Sequence, residues 1–440
     1  MYQTYLITGA TGFLGRAVLQ LLLAHSCRIL ALVMDKDPLA YMIPENATVF
    51  CGDLTDKDTL RSFFAAGGDN FCVLHCAGMV SIASRPGEII YRVNVDGTQN
   101  IIDLCREFGA EKLVYVSSVH AIAEKPAPQT ITEPNHFSPD DILGDYGKSK
   151  AMATALVLKA AQSGLNASVV LPSGILGPGD LSCGNTTRML LAFCRGRLPF
   201  GVKGGYDFVD VRDVAAGVLA CTERGKAGEC YILSGHYASI QDLLALTASL
   251  LGRKVPRLCA PAALAGCAAP IFEKIGQLRG ECPFFTPYSI AVLRSNGHFS
   301  NAKAVGALGF YTRPLRETLQ SMIGEKSWTS QGEFVWTQEM VDETIAEYEK
   351  MLQDIKDGMM YSKTVDGETD IMVGYDPKYV SSSGGYELFV TLENGEEKLF
   401  GPYETHSELH AAVESFCNAQ VKLGNMDQSE AREIVKCVSD

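Results

Sequence analysis

Six short runs in the first 171 residues are apolar at consecutive positions rather than at alternate ones. They are YLIT (5–8), RILALV (28–33), ATVF (47–50), FCVLH (71–75), KLVYVS (112–117) and ASVVL (167–171). A strand wetted on one face alternates polar and apolar residues, whereas a strand covered on both faces does not. These runs therefore predict a parallel sheet buried above and below. Between them lie longer stretches with apolar residues three and four apart, such as AVLQLLLAH (17–25) and GTQNIIDLCREFG (97–109). Strand and helix in alternation predict a doubly wound α/β domain.

The pattern changes near residue 325. A linker at 326–336 follows the α/β domain of residues 1–325, and the surrounding stretch 324–338 holds both tryptophans of the chain. Val341, Ile345, Tyr348, Leu352 and Ile355 then mark one stripe of an amphipathic helix. YELFVTLENGEEKLFGPY predicts a hairpin turning at Asn394-Gly395, and two helices are expected from about Ser407 and Asp427. Residues 337–440 thus form a small α+β domain.

Charge supports the division. Of the 38 Lys+Arg and 51 Asp+Glu, only 9 basic residues but 23 acidic ones lie from Lys326 onward, so the tail carries almost all of the net charge of −13. A basic, aromatic-studded stripe is missing, so a nucleic-acid partner is not expected. The 14 cysteines lie scattered in apolar runs without zinc spacing, as expected for free thiols in a reducing cytoplasm, and no metal is expected. The N-terminus runs straight into a strand, which is not the pattern of a signal peptide. The longest apolar stretch, LCAPAALAGCAAPIF (258–272), is too short and too rich in Pro and Gly for a membrane span.

The first crossing carries TGATGFLG, with Gly9, Gly12 and Gly15 between a strand and a helix. Glycines there allow a tight turn and a close backbone approach to a pyrophosphate at the positive helix end. Farther on, GDYGKSKAMA places Tyr146 and Lys150 four apart, on one face of a helix after the fifth strand. Ser118 ends that strand at the sheet edge where such folds bind ligands. Composition alone yields about one Tyr–Lys pair at this spacing by chance, so its neighbours must give it meaning.

The neighbours do so collectively. TGATGFLG, GDLTD, VLHCAG, VNVDGTQN, VYVSSVHAI, YGKSK and LPSGILGPGD stand in the order seen in extended short-chain dehydrogenases/reductases, which the chain resembles over residues 1–325. It is most similar to the branch holding dihydroflavonol reductases, 3β-hydroxysteroid dehydrogenases and hopanoid-associated epimerase-like proteins. The resemblance implies a Rossmann-like sheet with a cofactor part mainly at 1–170 and a smaller substrate lobe mainly at 171–325. It implies a catalytic set of Ser118, Tyr146 and Lys150, with Tyr146 and Lys150 also touching the cofactor. Gly9, Thr11, Gly12, Phe13, Leu14 and Gly15 would form the phosphate loop, with Asp53 and Leu54 flanking the adenine. Cys76, Ala77, Gly78, Pro172 and Ser173 would line the path to the nicotinamide. Asn94 stands where the family has an Asn supporting the active-site helix, a helix cap being the other reading. His75 reads as a satisfied core histidine.

The chemistry needs these residue types. A phenol titrates near pH 10, and a nearby ammonium together with the positive oxidised nicotinamide lowers that value, so Tyr146 could exchange a proton with a substrate oxygen that Ser118 holds. The cofactor is NAD or NADP. Asp35, 20 residues beyond Gly15, favours NAD because an acid repels a 2′-phosphate, whereas Lys36 beside it does the opposite. Relatives that use NADP commonly have Arg where Met34 stands, and those using NAD often have Asp where Val33 stands.

Sugar-nucleotide relatives carry arginines at the positions of Tyr206 and Leu171. Their absence predicts a small hydrophobic ring ketone or alcohol rather than a diphosphate. Residues 180–200 and 256–290 are expected to wall that pocket. A nucleotide-sugar epimerase or dehydratase with tightly held NAD, clamping diphosphate with Lys203 or Arg294, is the alternative enzyme, and a cofactor-binding sensor or scaffold the non-catalytic one. A homodimer is open to the chain, and the tail could cap the pocket, touch another subunit or bind an unknown partner.

Overall fold

The computed structural model describes residues 2–323, apart from 82–86, 127, 183, 197, 199–200, 253, 255–258 and 261–285, and the strands 359–361, 371–375, 386–391 and 397–403. The chain divides into two compact units, Met1–Thr337 and Gln338–Asp440.

The first unit opens with β1 (Thr4–Thr8), α1 (Phe13–Leu22), β2 (Arg28–Val33), β3 (Ala47–Cys51), α2 (Arg61–Ala65) and β4 (Phe71–His75). A short helix α3 (Ile89–Tyr91) runs through a π turn, Arg92–Asp96, into α4 (Gly97–Glu107). Then come β5 (Lys112–Val116), α5 (Asp145–Gln162), β6 (Ala167–Pro172), β7 (Gly174–Leu176), α6 (Asn185–Cys194), β8 (Gly201–Val202), β9 (Gly205–Asp210), α7 (Val211–Arg224), β10 (Cys230–Leu233) and β11 (His236–Ser239).

Seven strands form one sheet in the order β10-β6-β5-β4-β1-β2-β3, and every neighbouring pair is parallel. The fold is a Rossmann-like α/β sheet. The order reverses between β1 and β4, which opens a crevice at their C-terminal ends.

The apolar runs divide by parity. Leu6, Leu30, Leu32, Val73, Leu113, Tyr115, Val169 and Leu171 enter one core, while Tyr5, Ile7, Ile29, Ala31, Cys72, Leu74, Val114 and Val170 enter the other. Side chains alternate across a strand, so a strand between two helix layers must be apolar at every position. The third run departs from that expectation. β3 is the outermost strand, and Thr48 and Val49 are exposed, because its position at the sheet edge leaves part of it without a covering layer.

Beyond β6 the chain forms a three-stranded sheet, β11-β9-β7, that brings residues 205–210 back beside β7. In the second unit the four strands form an antiparallel sheet in chain order. Tyr386–Thr391 pairs antiparallel with Glu397–Tyr403, with Thr391 opposite Glu397. Its turn and the helices expected in the tail lie outside the described residues. Among the described residues, no helix is long and apolar enough to cross a membrane, and no cluster of His, Cys, Asp and Glu could hold a metal.

His75 closes the edge of the sheet. Its Nδ1 lies 2.7 Å from Thr8 Oγ1 and its Nε2 3.1 Å from Thr98 Oγ1. Thr98 donates its own proton to Asn94 O at 2.6 Å, so the imidazole donates from Nε2 and accepts at Nδ1. Burial lowers its pKa to about 3, keeping the ring neutral. The native ring thus resists a proton that the unfolded chain accepts below pH 6.5, and stability falls as pH drops from there toward 3. Denaturant titrations from pH 7 to 4 should show His75→Gln losing less stability than the wild type. The difference in slope should be at most about 1.4 kcal/mol per pH unit.

Candidate active site

After β1 the chain turns through Gly9, which has a φ of 68°. A Cβ there would stand 2.7 Å from Ala77 Cα, and one on Gly15 would collide with the Gly9 carbonyl oxygen. The glycine loop, the start of α1 and the segment after β4 are therefore packed backbone to backbone. Gly12 N–H bonds Gly9 O at 3.0 Å and begins α1 without a side-chain cap or an acid in its first turn. Phe13 and the buried Leu14 follow, with the positive helix end left for an anion. This cradle fits a dinucleotide's pyrophosphate.

Asp35 is exposed, and Lys36 next to it takes a φ of 58°, which swings the chain back so that Asp37 meets the glycine loop. Thr11 Oγ1 donates to Asp37 Oδ2 at 2.6 Å, and Asp37 Oδ1 accepts from Leu39 N–H at 2.9 Å. Val33 is buried and Met34 exposed.

The other cofactor positions surround the crevice. Asp53 is exposed and accepts from the backbone and hydroxyl of Thr55 at 2.8 and 2.9 Å, while the carbonyl of Leu54 accepts from Asn100 at 2.8 Å. Cys76 stays a thiol because burial pushes it up to about 12. Ala77 N–H donates to Thr8 Oγ1 at 3.2 Å. A Cβ on Gly78 would stand 3.0 Å from Lys150 Nζ.

Asn94 lies in the middle of the π turn, so it is no helix cap. Its amide clamps Met79 on both sides, at 2.7 and 3.0 Å, and donates to Ser149 at 3.0 Å, joining the crevice wall to α5. Pro172 ends β6. Ser173 N–H donates to Leu233 O at 3.2 Å. Its buried hydroxyl lies near enough to Asp207 to pull that carboxyl down against the burial that raises it to about 6, yet makes no hydrogen bond.

The three catalytic candidates converge. Ser118 caps a single 3₁₀ turn, Val119–Ala121, and its hydroxyl accepts from His120 N–H at 3.2 Å. The Ser118 hydroxyl lies near enough to the Tyr146 phenol to pull its pKa down. One turn along α5, Lys150 Nζ donates to Val116 O at 2.9 Å and to Tyr115 Oη at 3.4 Å. Burial lowers the ammonium to about 8.

Burial also raises Tyr146, and Ser118 pulls the other way. The Lys150 ammonium faces the end of β5, at the Val116 carbonyl. Tyr146 therefore holds its proton at neutral pH.

Residues 5–234 match the NAD dependent epimerase/dehydratase family. The chain belongs to that family. A Synechocystis sp. protein whose name proposes a dihydroflavonol 4-reductase is 31% identical over 344 residues, 77% of this chain and 98% of that protein. Sterol demethylase protein B of Methylococcus capsulatus is 30% identical over 308 residues, 70% of this chain and 93% of that one. The crystal structure of gox2253 aligns with a TM-score of 0.63 and 33% identity, covering 73% of this chain and 97% of that one. A Thermus thermophilus UDP-glucose 4-epimerase solved with NAD shares the fold at 21% identity and a TM-score of 0.57, over 72% of this chain and 97% of that one. Homologues in this epimerase/dehydratase family are named as dehydrogenases and reductases of CH–OH groups, and the chain is an oxidoreductase of that kind.

Three neighbours of the site escaped the sequence reading. His120, two residues past Ser118, stacks on Tyr206 with ring centroids 5.5 Å apart and meets Tyr146 edge-on at 5.7 Å. Burial lowers it to about 4, so it is neutral. Tyr288 approaches the same imidazole at 3.3 Å. Asp37 is the third. Most of the expected pocket wall at 256–290 lies outside the described residues, though Tyr288 belongs to it; Lys203 and Arg294 are exposed.

Gly147 permits this convergence. A Cβ on it would stand 2.7 Å from the His120 carbonyl oxygen, so α5 can approach the Ser118 turn only with hydrogen there. Gly147→Ala should push Tyr146 out of register with Ser118. Steady-state kinetics should show kcat reduced about 10- to 100-fold, with cofactor affinity and far-UV circular dichroism unchanged.

Proposed function

We propose that the protein reduces a hydrophobic ring ketone to a secondary alcohol, using NADH. The observation that carries this reading is the uncharged wall beside Tyr146: Tyr206 stands where sugar-nucleotide relatives are expected to hold an arginine, and its hydroxyl lies 2.9 Å from neutral His120. A diphosphate would find no guanidinium there, whereas an apolar ring loses nothing by entering.

Tyr146 donates its phenolic proton to the substrate oxygen as the carbonyl becomes an alcohol, and Ser118 holds the same oxygen through its hydroxyl. A phenol that keeps its proton suits the reducing direction. When bound, the nicotinamide supplies the hydride. The glycine loop would hold the pyrophosphate, Asp53 and Leu54 the adenine, and Lys150 the ribose beside the nicotinamide. The names of the Synechocystis and Methylococcus relatives support a ring substrate.

Absorbance of the reduced cofactor, followed with panels of aryl and steroid ketones and of nucleotide sugars, tests the reading. Stoichiometric consumption with a ring ketone is expected. Isomerisation of a nucleotide sugar without net consumption would overturn it, and tight cofactor binding without turnover would favour a sensor. Tyr146→Phe should lower kcat by about 10²–10⁴-fold and leave NADH affinity unchanged.

For the cofactor, we assign discrimination to Asp37. Its carboxylate is fixed against the glycine loop by Thr11 at 2.6 Å, where an anion opposes a 2′-phosphate. Fluorescence titration should show NADH binding more tightly than NADPH. Asp37→Asn should narrow that ratio about tenfold, and an unchanged ratio would remove Asp37 from the role.

A further inference from the structure

His120 stands between two phenols. Its Nε2 lies 2.9 Å from the Tyr206 hydroxyl and its Nδ1 3.3 Å from the Tyr288 hydroxyl. The three residues come from the turn after β5, from β9 and from the helix Pro287–Arg294. Tyr288 packs into the space that a Cβ on Gly144 would occupy, immediately before α5. The trio therefore closes over the N-terminus of the helix that carries Tyr146.

A neutral imidazole has one N–H and one bare nitrogen. With both nitrogens facing phenols, one phenol must donate to the ring and the other must accept from it. The donating phenol has spent its proton, and the accepting phenol has not. Among the described residues neither hydroxyl has another hydrogen-bond partner. The cluster therefore offers one O–H and no charge, next to the group that transfers the proton.

We propose that His120, Tyr206 and Tyr288 form a second substrate contact, in which one phenol donates to a neutral acceptor oxygen that the substrate carries away from its reacting carbonyl. This rests on the ring-ketone reading and narrows it to ketones bearing a further hydroxyl, ether or keto oxygen. An anionic group is disfavoured, because no member of the trio carries a positive charge and a buried unpaired anion is costly. His120 is a positioning residue: its tautomer decides which phenol is free to donate.

The test compares pairs of ring ketones that differ only in an oxygen replacing a methylene, with the wild type and with Tyr206→Phe, Tyr288→Phe, His120→Phe and His120→Gln. The wild type should prefer the oxygenated member by about five- to tenfold in kcat/KM, the effect of one neutral hydrogen bond. The preference should vanish in His120→Phe and in one tyrosine variant, through KM, and return in part in His120→Gln, whose amide has both a donor and an acceptor. Equal kcat/KM for both members in the wild type would overturn the proposal and leave hydride transfer to ring ketones standing. Absence of turnover with every ketone would overturn the underlying reading, and the contact with it. Independently of turnover, ¹⁵N NMR of the full chain should find one protonated and one bare nitrogen on His120 from pH 8 to 5. A His120 that gains a second proton near pH 6.5 would overturn the proposal.

Discussion

Lys150 buries an ammonium against the end of the fifth strand, and the site is arranged around that contact. Its nearest partners are the Val116 carbonyl and the Tyr115 hydroxyl, both neutral, with the Tyr115 ring 5.0 Å below. Removing an ammonium from water without an anionic partner is expensive, and the drop to about 8 is its signature. What the contact achieves is registration. It pins the second turn of α5 to the sheet edge, and Tyr146, one turn earlier, then falls beside Ser118. The same ammonium lies against Gly78, on the wall of the cofactor crevice. In the proposed reaction, proton transfer and cofactor seating share one fixed point.

The surroundings of that point lack charge in a consistent way. His75 and His120 are both held neutral by burial, Cys76 stays a thiol, and Tyr146 stays a phenol. A low-dielectric pocket strengthens whatever electrostatic interaction occurs inside it. Lys150 is a cation in the crevice wall, and a hydride donor placed beside it would act in its field. The family includes chains that must grip a diphosphate. Here the corresponding wall is aromatic, which is a different solution on a common sheet.

Much of this was legible along the chain. Continuous apolar runs mark strands buried on both faces, and the structure places the helices that cover them. Three glycines after a strand can serve close backbone packing: Gly9 lies against Ala77, and Gly12 and Gly15 against the Gly9 carbonyl. Tyr146 and Lys150 share a helical face because 3.6 residues make a turn, whatever the rest of the chain does. His75 was read as a satisfied core residue, and its bonds to Thr8 and Thr98 make it one.

Local pattern alone marked six of the seven strands of the main sheet and the helices between them, because periodicity and glycine geometry act over a few residues. Tertiary structure decided the rest. Asp37 rather than Asp35 reaches the glycine loop, because one positive φ at Lys36 redirects the chain. The third strand is half bare, because only the sheet order shows it to be an edge. Tyr288 meets His120 across 168 residues of sequence, a pairing without a local signal. The protonation of Tyr146 follows from burial and from where the ammonium points. Both are sums over distant neighbours, and a spacing of four residues cannot contain them.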